Sequence, residues 1–218
     1  MLNRFFSRPL ILIAALLVSI LEAEERPNIL FAFADDWGRH ASAYAKTDGP
    51  GTLNDAIHTP HFDALAKSGV LFKNAFVNAP SCTPCRSSIL SGQHFWRTNT
   101  AAILQGAVWD DSIPSWPLLL KEGGYHIGFT WKVWSPGTPR DAPYGGGDNA
   151  YAKGGGSYNG FSQTVTRMVS KGNSVEEAKL EMTKQVRDNF RQMFAAKKEG
   201  QPFAYWFGPT NVHRKWIK

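Results

Sequence analysis

The sequence has little cysteine, no long apolar run beyond its first segment, and no basic patch with interleaved aromatic residues. Its two cysteines exclude a scaffold of several disulfides and cannot by themselves fill a four-ligand zinc site. The net charge of +6 is modest, so a nucleic-acid-binding protein is not expected. With 43% hydrophobic and 13% aromatic residues, the chain has the composition of a globular protein, and its 218 residues suit one α/β domain.

The first residues have the pattern of a targeting segment. Arg4 and Arg8 precede an apolar run over residues 10–21, which is too short for a comfortable membrane span. Ala23 follows near the expected cleavage point, so the sequence predicts a signal peptide over residues 1–23. An uncleaved N-terminal anchor is the alternative. We expect export to a periplasmic, extracellular or lysosome-like compartment, no stable membrane span, and conditions in which a disulfide can form.

Both cysteines lie in one short segment, with two residues between them. Cys82 stands just before the start of a predicted helix, Pro84 lies in the first turn, and Arg86 adds a positive charge. The unpaired N–H groups and the dipole of a helix N-terminus favour an anion there. A cysteine in this position is activated or modified more often than one in a core, which makes Cys82 a candidate nucleophile.

A Cys-x-x-Cys pair at a helix start has other interpretations. One is an exported dithiol–disulfide oxidoreductase that uses Cys82 and Cys85, although thioredoxin-like proteins carry the pair early, in a domain of roughly half this length. A structural zinc site would have to complete the two thiolates with histidines. A structural disulfide between Cys82 and Cys85 is the simplest alternative.

Apolar patterns predict three strands and three main helices. The strands are predicted at residues 29–34, 125–130 and 202–207, and all are expected to be buried. The helices are predicted at residues 59–69, at residues 116–121, and from a capping box at Ser174 and Glu177 to about residue 198. Phe62, Leu65 and Ala66 are expected to form the buried face of the first helix. Residues 40–57 and the glycine-rich residues 135–160 are predicted to be loops.

Two acidic residues, Asp35 and Asp36, come directly after the first predicted strand. Ligands of open α/β sheets bind beyond the carboxyl ends of the strands, which is where these side chains emerge. Adjacent carboxylates repel each other unless a cation lies between them, so calcium or magnesium is a natural partner. The alternative to a metal site is that one of the two aspartates caps a helix and the other is a solvated surface residue.

The order of these segments resembles that of the type I sulfatases, which belong to the alkaline-phosphatase-like superfamily. The signature of that family is Cys-x-Pro-x-Arg followed by x-x-x-Leu-x-Gly, and its fixed positions are taken here by Cys82, Pro84, Arg86, Leu90 and Gly92. The strand that ends in Asp-Asp, the Thr-Pro-His helix, and the strand before Lys132 also follow the family's order. Together these similarities extend over residues 26–214.

The resemblance implies an α/β fold with a mixed, largely parallel sheet flanked by helices. It implies that residues 24–218 are the N-terminal part of a sulfatase catalytic domain. The family's remaining calcium ligands lie further along its longer chains, so we expect a truncated domain that is inactive by itself.

The resemblance also implies a reaction, the hydrolysis of a sulfate ester or sulfamate in a sulfated carbohydrate or small molecule. A formylglycine-generating enzyme would oxidise Cys82 to formylglycine, and one hydroxyl of its hydrated aldehyde would attack sulfur. The implied catalytic residues are Cys82, Arg86, Lys132 and His213, and the implied Ca²⁺ ligands are Asp35, Asp36 and residue 82. In these roles Arg86 steadies the nucleophile, while Lys132 and His213 hold the sulfate and assist the leaving group.

Three residues depart from the family pattern. Cys85 stands where serine is usual, and a disulfide between the two cysteines would protect Cys82 from modification. Trp131 replaces a glycine, and Trp134 replaces a histidine that contacts sulfate in the family. The spacing between Asp36 and Cys82 is somewhat like that of the N-sulfoglucosamine sulfohydrolases, but it does not identify a sugar.

Overall fold

The structure is a computed structural model that describes residues 26–134, 136–137, 143–144 and 161–213. The predicted signal peptide and most of the predicted glycine-rich loop lie outside these residues. The strands are β1 (Ile29–Ala32), β2 (His126–Trp131) and β3 (Phe203–Gly208). The α-helices are α1 (Ala45–Asp48), α2 (Pro60–Ser68), α3 (Cys82–Ser91), α4 (Trp116–Glu122), α5 (Phe161–Ser170) and α6 (Val175–Ala196).

The three strands form one parallel sheet with β3 in the centre. Ala204 of β3 is in register with Ile29 on one side and with Ile127 on the other. Because the strands are parallel, their carboxyl ends meet at one edge of the sheet. The backbone of Asp35 continues the pairing past β1, since its N–H donates to the carbonyl of Pro209 at 2.9 Å. The α/β prediction is confirmed.

Aromatic residues of β3 form the core on both faces of the sheet. On one face the fully buried Trp206 packs against Phe31, with ring centroids 4.6 Å apart, and against Trp116 of α4 at 6.1 Å. On the other face Tyr205 packs against Phe190 of α6 at 5.0 Å. The alternation of side chains along β3 therefore joins α4 and α6 to opposite faces of the sheet.

Two predictions of burial were wrong. Leu30 in the middle of β1 is 55% exposed, because the described core packs against only the face of β1 that carries Ile29 and Phe31. Leu65 of α2 is 69% exposed. This helix is anchored through Phe62, which contacts the Trp37 ring at 5.5 Å, and Leu65 lies away from that contact.

The predicted loop at residues 40–57 is also more ordered than expected. It contains α1 together with the short 3₁₀ turns Ser42–Tyr44 and Leu53–Asp55. The main helices agree with the prediction within a few residues. None of the helices in the described part of the chain is both long enough and apolar enough to span a membrane.

The start of α6 provides a test of the predicted capping box. Ser174 Oγ accepts a hydrogen bond from the Glu177 backbone N–H at 3.1 Å, and the Glu177 carboxylate accepts from the Ser174 N–H at 2.7 Å. We expect Ser174→Ala to lower the free energy of unfolding by about 1 kcal/mol, because a helix N–H loses its partner. Urea denaturation measures this change. Glu181→Ala, at an exposed position of the same helix, is the control, and an equal loss in both variants would contradict the capping role.

Candidate active site

Side chains from four segments meet at the carboxyl edge of the sheet. Asp35 follows β1, Lys132 follows β2, and His213 lies beyond β3. The fourth segment is the start of α3, where Cys82 is the first residue and Ser81 the N-cap. The parallel strands and the helix N-terminus thus bring together residues that are far apart in sequence, such as Asp35 and Lys132, which are 97 positions apart.

A buried carboxylate lies at the centre of this cluster. Asp35 accepts a hydrogen bond from Arg86 Nη2 at 2.9 Å through Oδ1 and forms an ion pair with Lys132 Nζ at 2.5 Å through Oδ2. The side chains of Arg86, Asp35 and Lys132 are 1%, 8% and 12% exposed. Each oxygen of the carboxylate therefore has its own cationic partner inside the protein.

The two cations decide the ionisation of Asp35. Burial by itself raises the pKa of this carboxyl, but hydrogen bonds from Lys132 and Arg86, together with their positive charges, outweigh burial and hold the pKa below its ordinary value. Arg86 is held in turn by the backbone, because its Nη1 donates to the carbonyl oxygens of Lys132 at 2.6 Å and Val133 at 3.3 Å. The charges of the cluster are thus fixed in place.

Cys82 joins the cluster through Lys132, whose Nζ lies 3.1 Å from Cys82 Sγ. Both Cys82 and Cys85 are free thiols in this structure, with Cys82 half-buried and Cys85 buried. Burial raises the pKa of the Cys85 thiol, although the charge of Arg86 opposes the effect. Cys82 thus has a cationic neighbour and a helix N-terminus, whereas Cys85 is a poor source of thiolate.

Asp36 and His213 lie at the more exposed side of the cluster. His213 Nε2 is 3.7 Å from Asp35 Oδ2 and 3.8 Å from Asp36 Oδ2. One ligand atom from each of the three residues lies within 4.8 Å of the others. Asp36 has a φ of 58°, which is uncommon for a residue other than glycine and is often found at functional sites. Carboxylate oxygens are the donors that hard divalent cations prefer, so the donor chemistry of Asp35 and Asp36 fits such an ion.

A large open cavity of about 1460 Å³ reaches the cluster. Its lining includes Asp35, Asp36, Cys82 and Arg86, together with His94. A substrate in this cavity would approach the start of α3, where the helix dipole and the nearby cations favour an anion.

Comparisons with known proteins identify the family of this chain. The family model described as "Sulfatase" matches residues 27–216. The chain belongs to the sulfatase family.

Three relatives show how far the similarity extends. Human N-sulphoglucosamine sulphohydrolase is 34% identical over 71% of this chain and 29% of its own length. The N-acetylgalactosamine-6-O-sulfatase of Bacteroides thetaiotaomicron is 35% identical over 57% of this chain and 23% of its own. An ulvan-active sulfatase of Formosa agariphila is 36% identical over 47% and 19%. The chain thus spans less than a third of each of these sulfatases.

The structure brings together all six residues that the sequence analysis selected, namely Asp35, Asp36, Cys82, Arg86, Lys132 and His213. Their catalytic and metal-binding roles remain predictions. Trp134, at the position of a sulfatase histidine, is only 2% exposed, and its indole N–H donates to Ser87 Oγ at 2.8 Å. Its ring also packs against Trp109, so this side chain belongs to the core. Sequence reasoning missed the backbone contact between Lys132 and Gly208, which no motif indicates.

The ion pairs of Asp35 with Arg86 and Lys132 lead to a prediction about stability. We expect Asp35→Asn to lower the free energy of unfolding at pH 7 by about 3 kcal/mol, because two buried cations lose their counter-charge. Denaturant titration of the variant measures this loss. The matched control is Asp188→Asn on the surface of α6, where the ion pairs are exposed and the expected loss is below about 1 kcal/mol.

The pH dependence distinguishes charge from packing in this experiment. Because the folded pKa of Asp35 is depressed, its stabilising effect is fully present above the unfolded pKa of about 4 and is lost as the pH falls through the folded value. The difference between wild type and Asp35→Asn should therefore shrink below about pH 4. A difference that stays constant to pH 2 would contradict the electrostatic explanation.

Proposed function

We propose that the protein containing this chain hydrolyses sulfate esters or sulfamates of carbohydrates, with residue 82 as the nucleophile after its conversion to formylglycine. The main support for this proposal is the position of Lys132 Nζ. This atom contacts the Asp35 carboxylate and also Cys82 Sγ, which lies at the N-terminus of α3. Carbohydrate substrates are supported by the names of the relatives, which refer to N-sulphoglucosamine, N-acetylgalactosamine and ulvan.

The chain's own residues have separate tasks in this proposal. Formylglycine supplies a hydrated aldehyde, whose hydroxyl is a nucleophile for sulfur. Lys132 holds a sulfate oxygen beside residue 82 and offsets the negative charge that develops during attack. Arg86 orients Asp35 and the Lys132 backbone. His213, whose side chain is 40% exposed, gives a proton to the leaving group.

The proposal includes a calcium ion held by Asp35, Asp36 and residue 82. It is supported by the two adjacent carboxylates at the end of β1 and by their proximity to His213. When bound, the ion would neutralise part of the negative charge of the sulfate. These residues provide fewer ligands than the six to eight that calcium prefers, so the site requires additional donors.

Maturation and location follow from the same proposal. The basic and apolar residues at positions 4–21 support a signal peptide and export. A formylglycine-generating enzyme would have to bind the segment around Cys82 before or during folding, because residue 82 is half-buried and Arg86 is fully buried in the folded chain.

A dithiol–disulfide oxidoreductase is the second candidate, since two free thiols lie in the first turn of α3. The raised pKa of the buried Cys85 thiol counts against this function, because it would slow the attack of Cys85 on a mixed disulfide at Cys82. Intact mass separates the two functions. Conversion to formylglycine removes the sulfur atom of Cys82, whereas reduction of a disulfide between Cys82 and Cys85 adds two hydrogen atoms to the mass of the chain.

The main test is substitution of the nucleophile. The full-length protein, co-expressed with a formylglycine-generating enzyme, is expected to hydrolyse 4-nitrophenyl sulfate and N-sulfoglucosamine. In Cys82→Ala, kcat should fall by at least about a thousandfold, because the attacking group is gone. Ser91→Ala, at the other end of α3, is the control and should retain activity. Unchanged turnover in Cys82→Ala would contradict the proposed nucleophile.

The role of the second cysteine is tested by Cys85→Ser. We expect this variant to keep its activity and to carry as much formylglycine at residue 82 as the wild type or more, because the competing disulfide cannot form. Mass spectrometry of the peptide that contains residue 82 gives the modified fraction. Loss of both modification and turnover would instead favour the dithiol function.

A further inference from the structure

We propose that Gly208 is a positioning residue, which sets the location of Lys132 by leaving room for its backbone. This inference rests on the proposed function for its catalytic consequence and on the packing of the sheet for its structural part. Gly208 is the last residue of β3 and lies in register with Trp131 of β2. The Lys132 N–H donates to the Gly208 carbonyl at 3.1 Å, which joins the two strand ends directly.

The space around Gly208 is filled by the backbone of Lys132. A Cβ atom at position 208 would overlap the Lys132 carbonyl oxygen and lie 2.8 Å from its carbonyl carbon and 3.1 Å from its nitrogen. These are backbone atoms, so no side-chain rotation can relieve the overlap. Gly208 does not adopt a left-handed conformation, so its φ does not require glycine. Glycine is needed at this position because a side chain would overlap the Lys132 backbone.

The Lys132 backbone is also held from the other side. Its carbonyl oxygen accepts a hydrogen bond from the fully buried Arg86 guanidinium at 2.6 Å. The preceding residue, Trp131, has a φ of 64°, a conformation in which a bulky residue has little freedom to adjust. Its buried ring contacts Phe207 at 5.2 Å. A methyl group at position 208 would therefore push Lys132 against two fixed neighbours.

A displacement of Lys132 would change the contacts of the proposed catalytic residues directly. The Lys132 ammonium lies between Cys82 Sγ and Asp35 Oδ2, and the Lys132 carbonyl orients Arg86. A shift of about 1 Å at such a site can reduce the rate by about a hundredfold without abolishing the fold. Gly208 contributes no atoms to catalysis, but its small size keeps Lys132 in place.

The test is Gly208→Ala in the full-length protein, assayed with 4-nitrophenyl sulfate. We expect kcat/KM to fall by about a hundredfold, because Lys132 moves away from residue 82. Gly69→Ala is the matched control. Gly69 also has a negative φ, and the nearest atom to a Cβ there lies 3.4 Å away. This control should leave both turnover and stability within about twofold and about 0.5 kcal/mol of the wild type.

A second variant separates positioning from simple destabilisation. Met182→Ala removes a fully buried side chain of α6 and should lower Tm at least as much as Gly208→Ala does. Its kcat/KM should nevertheless stay within about twofold of the wild type, because Lys132 keeps its position. A purely structural role of Gly208 predicts that kcat/KM falls together with Tm in both variants, and that result would overturn the proposal.

Lysine labelling supplies a readout that does not require activity. The Lys132 side chain is 12% exposed and ion-paired, so sulfosuccinimidyl acetate should modify it slowly in the wild type, compared with the exposed Lys67. In Gly208→Ala, labelling of Lys132 should increase at least fivefold relative to Lys67. Unchanged labelling together with unchanged kcat/KM would overturn the inference. If the wild type hydrolyses no sulfate ester, the proposed function fails, and the labelling ratio alone decides whether Gly208 positions Lys132.

Discussion

The rest of the site depends on the buried carboxylate of Asp35 between Arg86 and Lys132. Burial of three charges is costly, and it is tolerated here because each carboxylate oxygen has a cationic partner at 2.9 Å or less. The cluster also connects the ends of β1 and β2 with the first turn of α3. A change at Asp35 would therefore disturb the nucleophile segment and the sheet together.

This constraint explains why the cations are rigid. Arg86 is held by Asp35 and by two backbone carbonyls, so its guanidinium has few alternative positions. Lys132 is held at its ammonium by Asp35 and at its backbone by Gly208 and Arg86. Preorganised charges stabilise a developing anion without the cost of reorganisation, which suits the proposed attack on a sulfate ester or sulfamate, whose sulfur group carries one negative charge.

The charged side chains of the site fall into an exposed group and a buried group. Asp36 and His213 have side chains that are 54% and 40% exposed, whereas Asp35 and Arg86 are buried. His213, which is proposed to give a proton to the leaving group, therefore has access to solvent, whereas Arg86, which orients Asp35, is enclosed by the protein.

The sequence by itself determined the main helices, the approximate positions of the strands and the chemistry-bearing residues, because these follow from local patterns such as the Cys-x-Pro-x-Arg motif and the acidic pair after β1. The tertiary structure decided which of those residues touch. Asp35 meets Arg86 and Lys132 across 51 and 97 positions, and no local pattern encodes such contacts. It also decided that Leu30 and Leu65 are exposed, that Trp134 belongs to the core, and that Gly208 lies against Lys132. Burial and close approach depend on which elements pack together, and a periodic pattern describes only one element at a time.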